Sequence, residues 1–133
     1  MRLVRLLGLL LVMVSATSVS AAPENWSALL EPADLAAILR QSQDVRVIQV
    51  TGDYTAGHIP GSVPAPYADF RGPQENAGQL PPLENLTAIV QRLGISADTP
   101  VAIVHQGSSA VDMGASTRVY WTLKSLGVQN LAI

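Results

Sequence analysis

Two histidines are the side chains of this sequence with the clearest capacity for chemistry. His58 lies in residues 54–62, and His105 directly follows residues 101–104. An imidazole titrates near neutral pH, so either ring could act as a general base. The 133 residues contain no cysteine, which excludes a thiolate nucleophile and any disulfide.

His58 stands in a segment that specifies a tight turn. Residues 54–62 read YTAGHIPGS and follow the apolar run 45–50, which is typical of a buried strand. Glycine permits positive φ, and proline fixes φ and removes a donor. The structural motif within this turn is Gly57, His58, Ile59, Pro60 and Gly61. We interpret His58 as a turn residue whose ring bonds nearby backbone, with a catalytic base as the alternative.

His105 opens a loop that is expected at the carboxyl end of a strand. Ser108, Ser109 and Asp112 follow closely, which could suggest a Ser-His-Asp hydrolase. The glycine-x-serine-x-glycine elbow is missing, because residues 107–110 read GSSA. We therefore set hydrolase chemistry aside and interpret Asp112 as the N-cap of the next helix.

Apolar strands alternate with helical patterns along the chain. Helices are predicted over 32–40, 83–93 and 112–126, and strands over 45–50, 62–65, 101–104 and 131–133. Residues 68–82, rich in glycine and proline, are predicted to be a loop. This order predicts an α/β fold, with a central parallel sheet, helices on both faces and a last strand cut short. Ligands bind such sheets at the carboxyl ends of strands, so the loop 105–111 is the expected site.

The first 21 residues are predicted to be a signal peptide, which leaves one domain over residues 22–133. Arg2 and Arg5 precede an apolar run over 6–14, and small residues permit cleavage after Ala21. An uncleaved anchor is the alternative, but the run is shorter than the roughly 20 residues of a membrane span. We expect an exported, periplasmic protein that has no membrane contact once the leader is cleaved.

The net negative charge of the predicted domain argues against polyanionic partners. Two of the eight basic residues lie in the leader and none of the ten acidic ones does, so the remainder carries a formal charge of about −4. The absence of a basic patch disfavours nucleic acid and anionic membrane surfaces as partners. No cofactor is expected, and two histidines without a short fixed spacing predict no metal site.

Three tracts of the sequence resemble the rhodanese-like sulfurtransferases. His58-Ile59-Pro60-Gly61 is similar to that family's first signature. Residues 118–127 (RVYWTLKSLG) resemble the helix that follows the central loop in the amino-terminal domain of tandem, two-domain rhodaneses. Residues 66–73 and 78–81 resemble the linking loop of an exported tandem subgroup. The resemblance extends over essentially all of the predicted domain.

The chain departs from this family where the family carries out its chemistry. Gln49 and Thr51 replace an aspartate and an arginine near the end of the first strand, and His105 occupies the cysteine position. The resemblance implies that active members hold sulfane sulfur on that cysteine as a persulfide, in a loop whose backbone amides bind anions. The candidates for retained anion binding are His105, Gln106, Gly107, Ser108, Ser109 and Ala110.

The resemblance therefore implies a non-catalytic domain of a longer protein. In the parent enzyme it implies transfer of sulfane sulfur from thiosulfate, or a similar small anion, to a thiophilic acceptor. The active cysteine would lie in a second rhodanese domain, and this chain alone is predicted to be inactive. The alternative is a stand-alone module that binds an anion or a protein through the loop 105–111. Because the sequence ends inside an apolar strand, we expect it to be a fragment. The residues assigned to contact the second domain are Asp69, Arg71, Arg118 and Trp121.

Overall fold

The structure is a computed structural model that describes residues 21–42 and 44–133. Its helices are α1 (Pro32–Gln41), α2 (Leu83–Arg92) and α3 (Ala110–Ser125), and its strands are β1 (Arg46–Gln49), β2 (Val63–Pro64), β3 (Val101–Val104) and β4 (Leu131–Ala132). The predicted loop between β2 and α2 contains two 3-10 helices, Tyr67–Phe70 and Gln74–Asn76. The predicted leader, apart from Ala21, lies outside the described residues.

Local signals set the ends of the helices. Pro32 occupies the first position of α1, where the missing N–H removes no helical hydrogen bond. Gly94 and Gly127 follow the last turns of α2 and α3 with φ of +67° and +92°. Glycine adopts this left-handed conformation at little cost, and it closes a helix. The predicted helix start and both predicted helix stops are confirmed.

β1 and β3 form the centre of a parallel sheet whose strand order is β2-β1-β3-β4. They pair along their whole length, with Ile48 opposite Ile103. The chain leaves β1 toward β2 on one side and returns to β3 on the other, so the strand order reverses between β1 and β3. Such a reversal opens a crevice at the carboxyl ends of the two strands. The fold thus places a candidate site between the loops that follow β1 and β3.

Alternate side chains of the central strands cover opposite faces of the sheet. Val47 and Ala102 pack with Leu35 of α1 on one face. Ile48 and Ile103 lie on the other face, and both are buried. Their buried neighbours there, from α3 and the end of α2, are Leu93, Val119 and Leu123. The predicted arrangement, a parallel sheet with helices on both faces, is confirmed.

A further segment extends the sheet beyond β4, and the sequence pattern does not predict it. The Leu30 N–H donates to the Ile133 carbonyl at 2.9 Å, and the Ile133 N–H donates to the Ala28 carbonyl at 2.9 Å. This exchange is the hydrogen-bond pattern of a parallel ladder. The Ser27 hydroxyl donates to the Leu29 carbonyl, an acceptor on the outer edge of the segment. β4 is short, as predicted, and Ile133, the residue after it, continues the sheet by pairing with the segment 28–30.

Gly72 allows the loop between β2 and α2 to close on itself. Its N–H donates to the Ala77 carbonyl at 3.3 Å. A Cβ at this position would overlap the Asn76 carbonyl oxygen and lie 2.6 Å from the Gln79 carbonyl oxygen. Backbone atoms cannot rotate out of the way as side chains do, so the loop requires glycine here.

Gly72→Ala is expected to lower the free energy of unfolding by about 1–3 kcal/mol, the usual cost of overpacking. The matched control is Gly78→Ala in the same loop, where the added methyl meets only the Asn76 side chain, at 3.7 Å. The control is expected to change stability by less than about 0.5 kcal/mol. Urea denaturation of the three proteins measures both effects. Equal stabilities for the two variants would contradict this account of the loop.

Candidate functional site

An open cavity of about 430 Å³ lies at the carboxyl ends of β1 and β3. Both histidines line it, although they are far apart in sequence. The loop after β1 forms one wall, and the start of the loop after β3 forms the other. The lining residues are Gln49, Gly52, Asp53, Ala56, Gly57, His58, Ile59, Val104, His105 and Gln106. The cavity therefore lies in the crevice created by the reversal of strand order.

His58 is held by the turn in which it lies. Its Nδ1 is 2.9 Å from the Tyr54 carbonyl oxygen, which can only accept, so Nδ1 carries the proton and Nε2 is the unprotonated nitrogen of the neutral ring. The imidazole stacks on the Tyr54 ring with centroids 3.9 Å apart. The Tyr54 hydroxyl donates to the Ser62 carbonyl at 2.6 Å. These contacts hold the two ends of the turn together, so His58 stabilises the turn.

Asp53 fixes the start of the same turn. Its Oδ1 accepts from the Thr55 hydroxyl at 2.6 Å, the Thr55 N–H at 2.9 Å and the Ala56 N–H at 3.3 Å. These bonds, with the Thr55 hydroxyl the largest contributor, hold the pKa of Asp53 below its ordinary value. The carboxylate thus stabilises the turn through these hydrogen bonds. Because its pKa is lowered, it stays ionised near neutral pH and does not act as a general base or acid there.

The loops after β1 and β3 are joined by direct contacts. The Gln106 N–H donates to the Thr51 hydroxyl at 3.0 Å, and the Gln49 amide donates to the Thr51 carbonyl at 3.1 Å. Gly52 has φ of +84°, and a Cβ there would lie 3.2 Å from Cβ of Gln106. Gln49 and Thr51, two of the departures from the rhodanese pattern, thus help to fix the walls of the cavity.

The interpretation of Asp112 as the helix N-cap is wrong. α3 begins at Ala110 with Ser109 as its N-cap, so Asp112 is the third helical residue. Its Oδ2 accepts from the Ser108 hydroxyl at 2.7 Å and from the Ser108 N–H at 2.9 Å. The hydroxyl bond is the largest of the contacts that hold the pKa of Asp112 below its ordinary value. The carboxylate reaches back over the loop from inside the first turn, a position that the helix dipole also favours.

Two backbone amides of the predicted anion-binding loop already have acceptors in the chain. The Gln106 N–H is bonded to Thr51 and the Ser108 N–H to Asp112. The Asp112 carboxylate lies at the amino end of α3, where an external anion would bind. The sequence predicted the loop but missed its internal carboxylate. The signal was the three-residue step from Ser109, the N-cap, to Asp112, which matches the S-x-x-D spacing of a capping box.

The arrangement does not form a hydrolase triad. The Ser108 hydroxyl donates to Asp112 and not to an imidazole, so this serine is not activated by a histidine. Over residues 21–42 and 44–133, no three histidine, aspartate or glutamate side chains are grouped closely enough to hold a metal ion. In the same part of the chain, no helix is long and apolar enough to cross a membrane.

The four residues assigned to an interface do not form one cluster. Asp69 pairs with Arg92 at 2.8 Å, and the Arg71 guanidinium lies 5.5 Å from the Tyr67 ring centroid. Asp69 and Arg71 line an open cavity of about 720 Å³ beside the start of α2.

Arg118 and Trp121 lie together on α3. The Arg118 Nη2 donates to the Gln79 carbonyl at 2.9 Å, which ties α3 to the loop that contains Gly72. The same guanidinium lies 5.2 Å from the Trp121 ring centroid. Arg118 therefore makes an internal contact of its own, while Trp121 remains half exposed.

The chain has the rhodanese fold. Its parallel sheet has the strand order described above, helices cover both faces, and the crevice lies at the ends of β1 and β3. The 3-mercaptopyruvate sulfotransferase SseA of Escherichia coli, a protein of that fold, superposes on this chain with a TM-score of 0.60 and 22% sequence identity. The match covers 79% of this chain and 38% of that enzyme, so the chain spans well under half of its length. No model of a protein family and no curated protein matches the sequence. The expected rhodanese-like fold is confirmed.

Asp112→Asn is expected to lower the melting temperature at pH 7 by a few degrees, because it weakens the bonds to Ser108 and removes a charge favoured by the helix dipole. The folded-state pKa of Asp112 is lowered. Its contribution is therefore present above the unfolded-state pKa of about 3.9 and is lost as the pH falls through the folded-state pKa. The difference between wild type and variant should shrink as the pH is lowered below about 4.

Asp34→Asn is the control, since Asp34 also lies in the first turn of a helix, α1, without bonding a preceding loop. Melts followed by circular dichroism at pH 7 and pH 3 provide the comparison. A difference between wild type and Asp112→Asn that is the same at both pH values would refute the assigned role of the carboxylate.

Proposed function

We propose that this chain is the non-catalytic rhodanese domain of an exported sulfurtransferase-like protein. In that protein, sulfane sulfur passes from thiosulfate or a similar anion to a cysteine, and then to a thiophilic acceptor. The observation that carries the proposal is the position of His105, which directly follows β3 at the edge of the crevice. That is where the resemblance to rhodaneses puts the persulfide cysteine.

Imidazole cannot replace the thiolate in this chemistry. Sulfane transfer requires a sulfur nucleophile that forms and then breaks a sulfur–sulfur bond. A histidine nitrogen can move a proton or bind a metal, but it forms no disulfide-type bond. The whole sequence contains no cysteine to take over this role.

The contacts of the loop also favour a scaffold over a catalyst. Active members of the resembled family use the loop amides for an anion, whereas here Thr51 and Asp112 accept from two of them. A carboxylate at the amino end of α3 repels a second negative charge. This arrangement stabilises the loop at the expense of anion binding.

The outer face of α3 supports contact with a second, cysteine-bearing rhodanese domain. Val111 and Trp121 are 78% and 50% exposed, although large apolar side chains are usually buried. Arg118 is held beside Trp121 by its bond to Gln79, and tryptophan and arginine are both among the residue types enriched at protein interfaces. Asp69 and Arg71 would contribute from the rim of the neighbouring loop.

The purified chain is expected to form no thiocyanate from thiosulfate and cyanide, and no persulfide. The physical reason is the missing thiolate. A cysteine-bearing rhodanese assayed in parallel provides the positive control, and colorimetric detection of thiocyanate provides the measurement. Turnover by the pure chain above the rate without protein would overturn the proposal.

A stand-alone module that binds anions through residues 105–111 is the second candidate, and the cavity beside His105 is the observation in its favour. Calorimetry with thiosulfate and with sulfate separates the two. The scaffold is expected to show no micromolar binding at this loop. Micromolar binding to wild type that disappears in His105→Ala would instead support the module.

A further inference from the structure

Arg46 is a half-buried cation without a protein acceptor. It is the first residue of β1, so it lies at the amino edge of the sheet, away from His105. Its Nε is buried and has no hydrogen-bond partner. Within the described ranges the structure records one salt bridge, Arg92 to Asp69, and none to Arg46. Burying a charged donor without an acceptor is costly, so an unpaired guanidinium indicates a missing partner.

A cavity of about 540 Å³ opens beside this guanidinium. β2 pairs only with Ile48 and Gln49, whereas β3 pairs with β1 from Arg46 onward. The short β2 therefore leaves the first half of β1 uncovered on that side. The polar and glycine residues around the opening are Ser42, Asp44, Arg46, Gly61, Gly94 and Thr99.

The absence of a side chain at Gly94 leaves room for the Arg46 guanidinium. A Cβ at Gly94 would lie 3.0 Å from Nη2 of Arg46, and its φ is +67°. The helix stop of α2 and the room for the arginine thus depend on the same glycine. The C-terminal end of α2 also carries partial negative charge, which favours a cation there.

The donors at this cavity fit an oxyanion. A guanidinium presents five N–H groups in a planar fork that matches two oxygens of one carboxylate or sulfate group. The Ser42 hydroxyl accepts from the Asp44 N–H at 3.2 Å, so its own proton is available for donation. Asp44 also lines the cavity without forming an ion pair with Arg46, and its charge weakens the binding of any anion.

We propose that this cavity is a binding site for a small oxyanion, a carboxylate or a sulfate group, held by the Arg46 guanidinium. The proposal is independent of the proposed sulfurtransferase role, since the site lies at the opposite edge of the sheet from His105. Because one arginine binds the anion and the Asp44 carboxylate opposes it, we expect a dissociation constant in the millimolar range. This binding is far weaker than the micromolar binding expected of an anion-binding module.

The test is a titration of the full chain with sodium sulfate and, separately, sodium acetate at constant ionic strength. Sodium chloride serves as the non-specific control. Two-dimensional nitrogen–proton NMR follows the Nε–H signal of Arg46, assigned by its loss in Arg46→Lys. The expected result is a saturable shift of this signal with sulfate or acetate and none with chloride. The relative response to the two salts distinguishes a sulfate site from a carboxylate site.

Variants separate the proposed site from general charge effects. Backbone amide signals around the cavity report binding when the arginine signal is absent. Arg46→Gln is expected to abolish the saturable shift, and Arg46→Lys, which keeps the charge but not the fork, to weaken binding at least fivefold. Asp44→Asn should tighten binding severalfold, and Arg40→Gln, on the exposed side of α1, should leave it unchanged.

Either of two results would overturn the proposal. One is a wild-type Arg46 signal that responds to sulfate and acetate no more than to chloride. The other is equal binding by wild type and folded Arg46→Gln. Arg46→Lys provides the same comparison if the glutamine variant does not fold.

Discussion

The pairing of β1 with β3 is the contact on which the rest of the structure depends. It buries Ile48 and Ile103 on one face and Val47 and Ala102 on the other, and so gives both layers of helices a surface to pack on. It also brings two loops from distant parts of the chain to one edge. The bond from Gln106 to Thr51 and the close approach at Gly52 follow from that juxtaposition. The walls of the crevice are therefore a consequence of strand register.

Local patterns in the sequence were sufficient to predict most of this architecture. Apolar runs marked the two central strands, and Pro32, Gly94 and Gly127 marked helix ends, because each signal acts within a few residues. Contacts between distant residues carried no comparable signal. The segment 28–30 is short and pairs with Ile133, and Arg118 finds its acceptor at Gln79. Neither partner can be read from periodicity.

The loop after β3 lies at the carboxyl edge of the sheet, as the strand pattern predicts, but the hydrogen bonds within it were not foreseen. The sequence predicts Asp112 as a cap because aspartate before a helix usually caps it. In the structure the helix begins two residues earlier, at Ala110, and the carboxylate turns back to Ser108. Because the helix begins less than one turn earlier than predicted, Asp112 accepts hydrogen bonds from the loop instead of capping the helix. The cavity beside Arg46 was not predicted either, since it depends on β2 pairing only with the last two residues of β1.

The hydrogen bonds between residues 28–30 and Ile133 also constrain how the protein can fold. They join the start of the described chain to its last residue, so this outer ladder closes a loop of about 100 residues. Closing such a loop is entropically unfavourable until the intervening sheet exists, and contacts of this sequence separation slow folding. The segment 28–30 is accordingly expected to be among the last to take its place in the sheet. Until then Leu30 lacks its partner Ile133, and the outer edge of the sheet at Ile133 stays open to other strands.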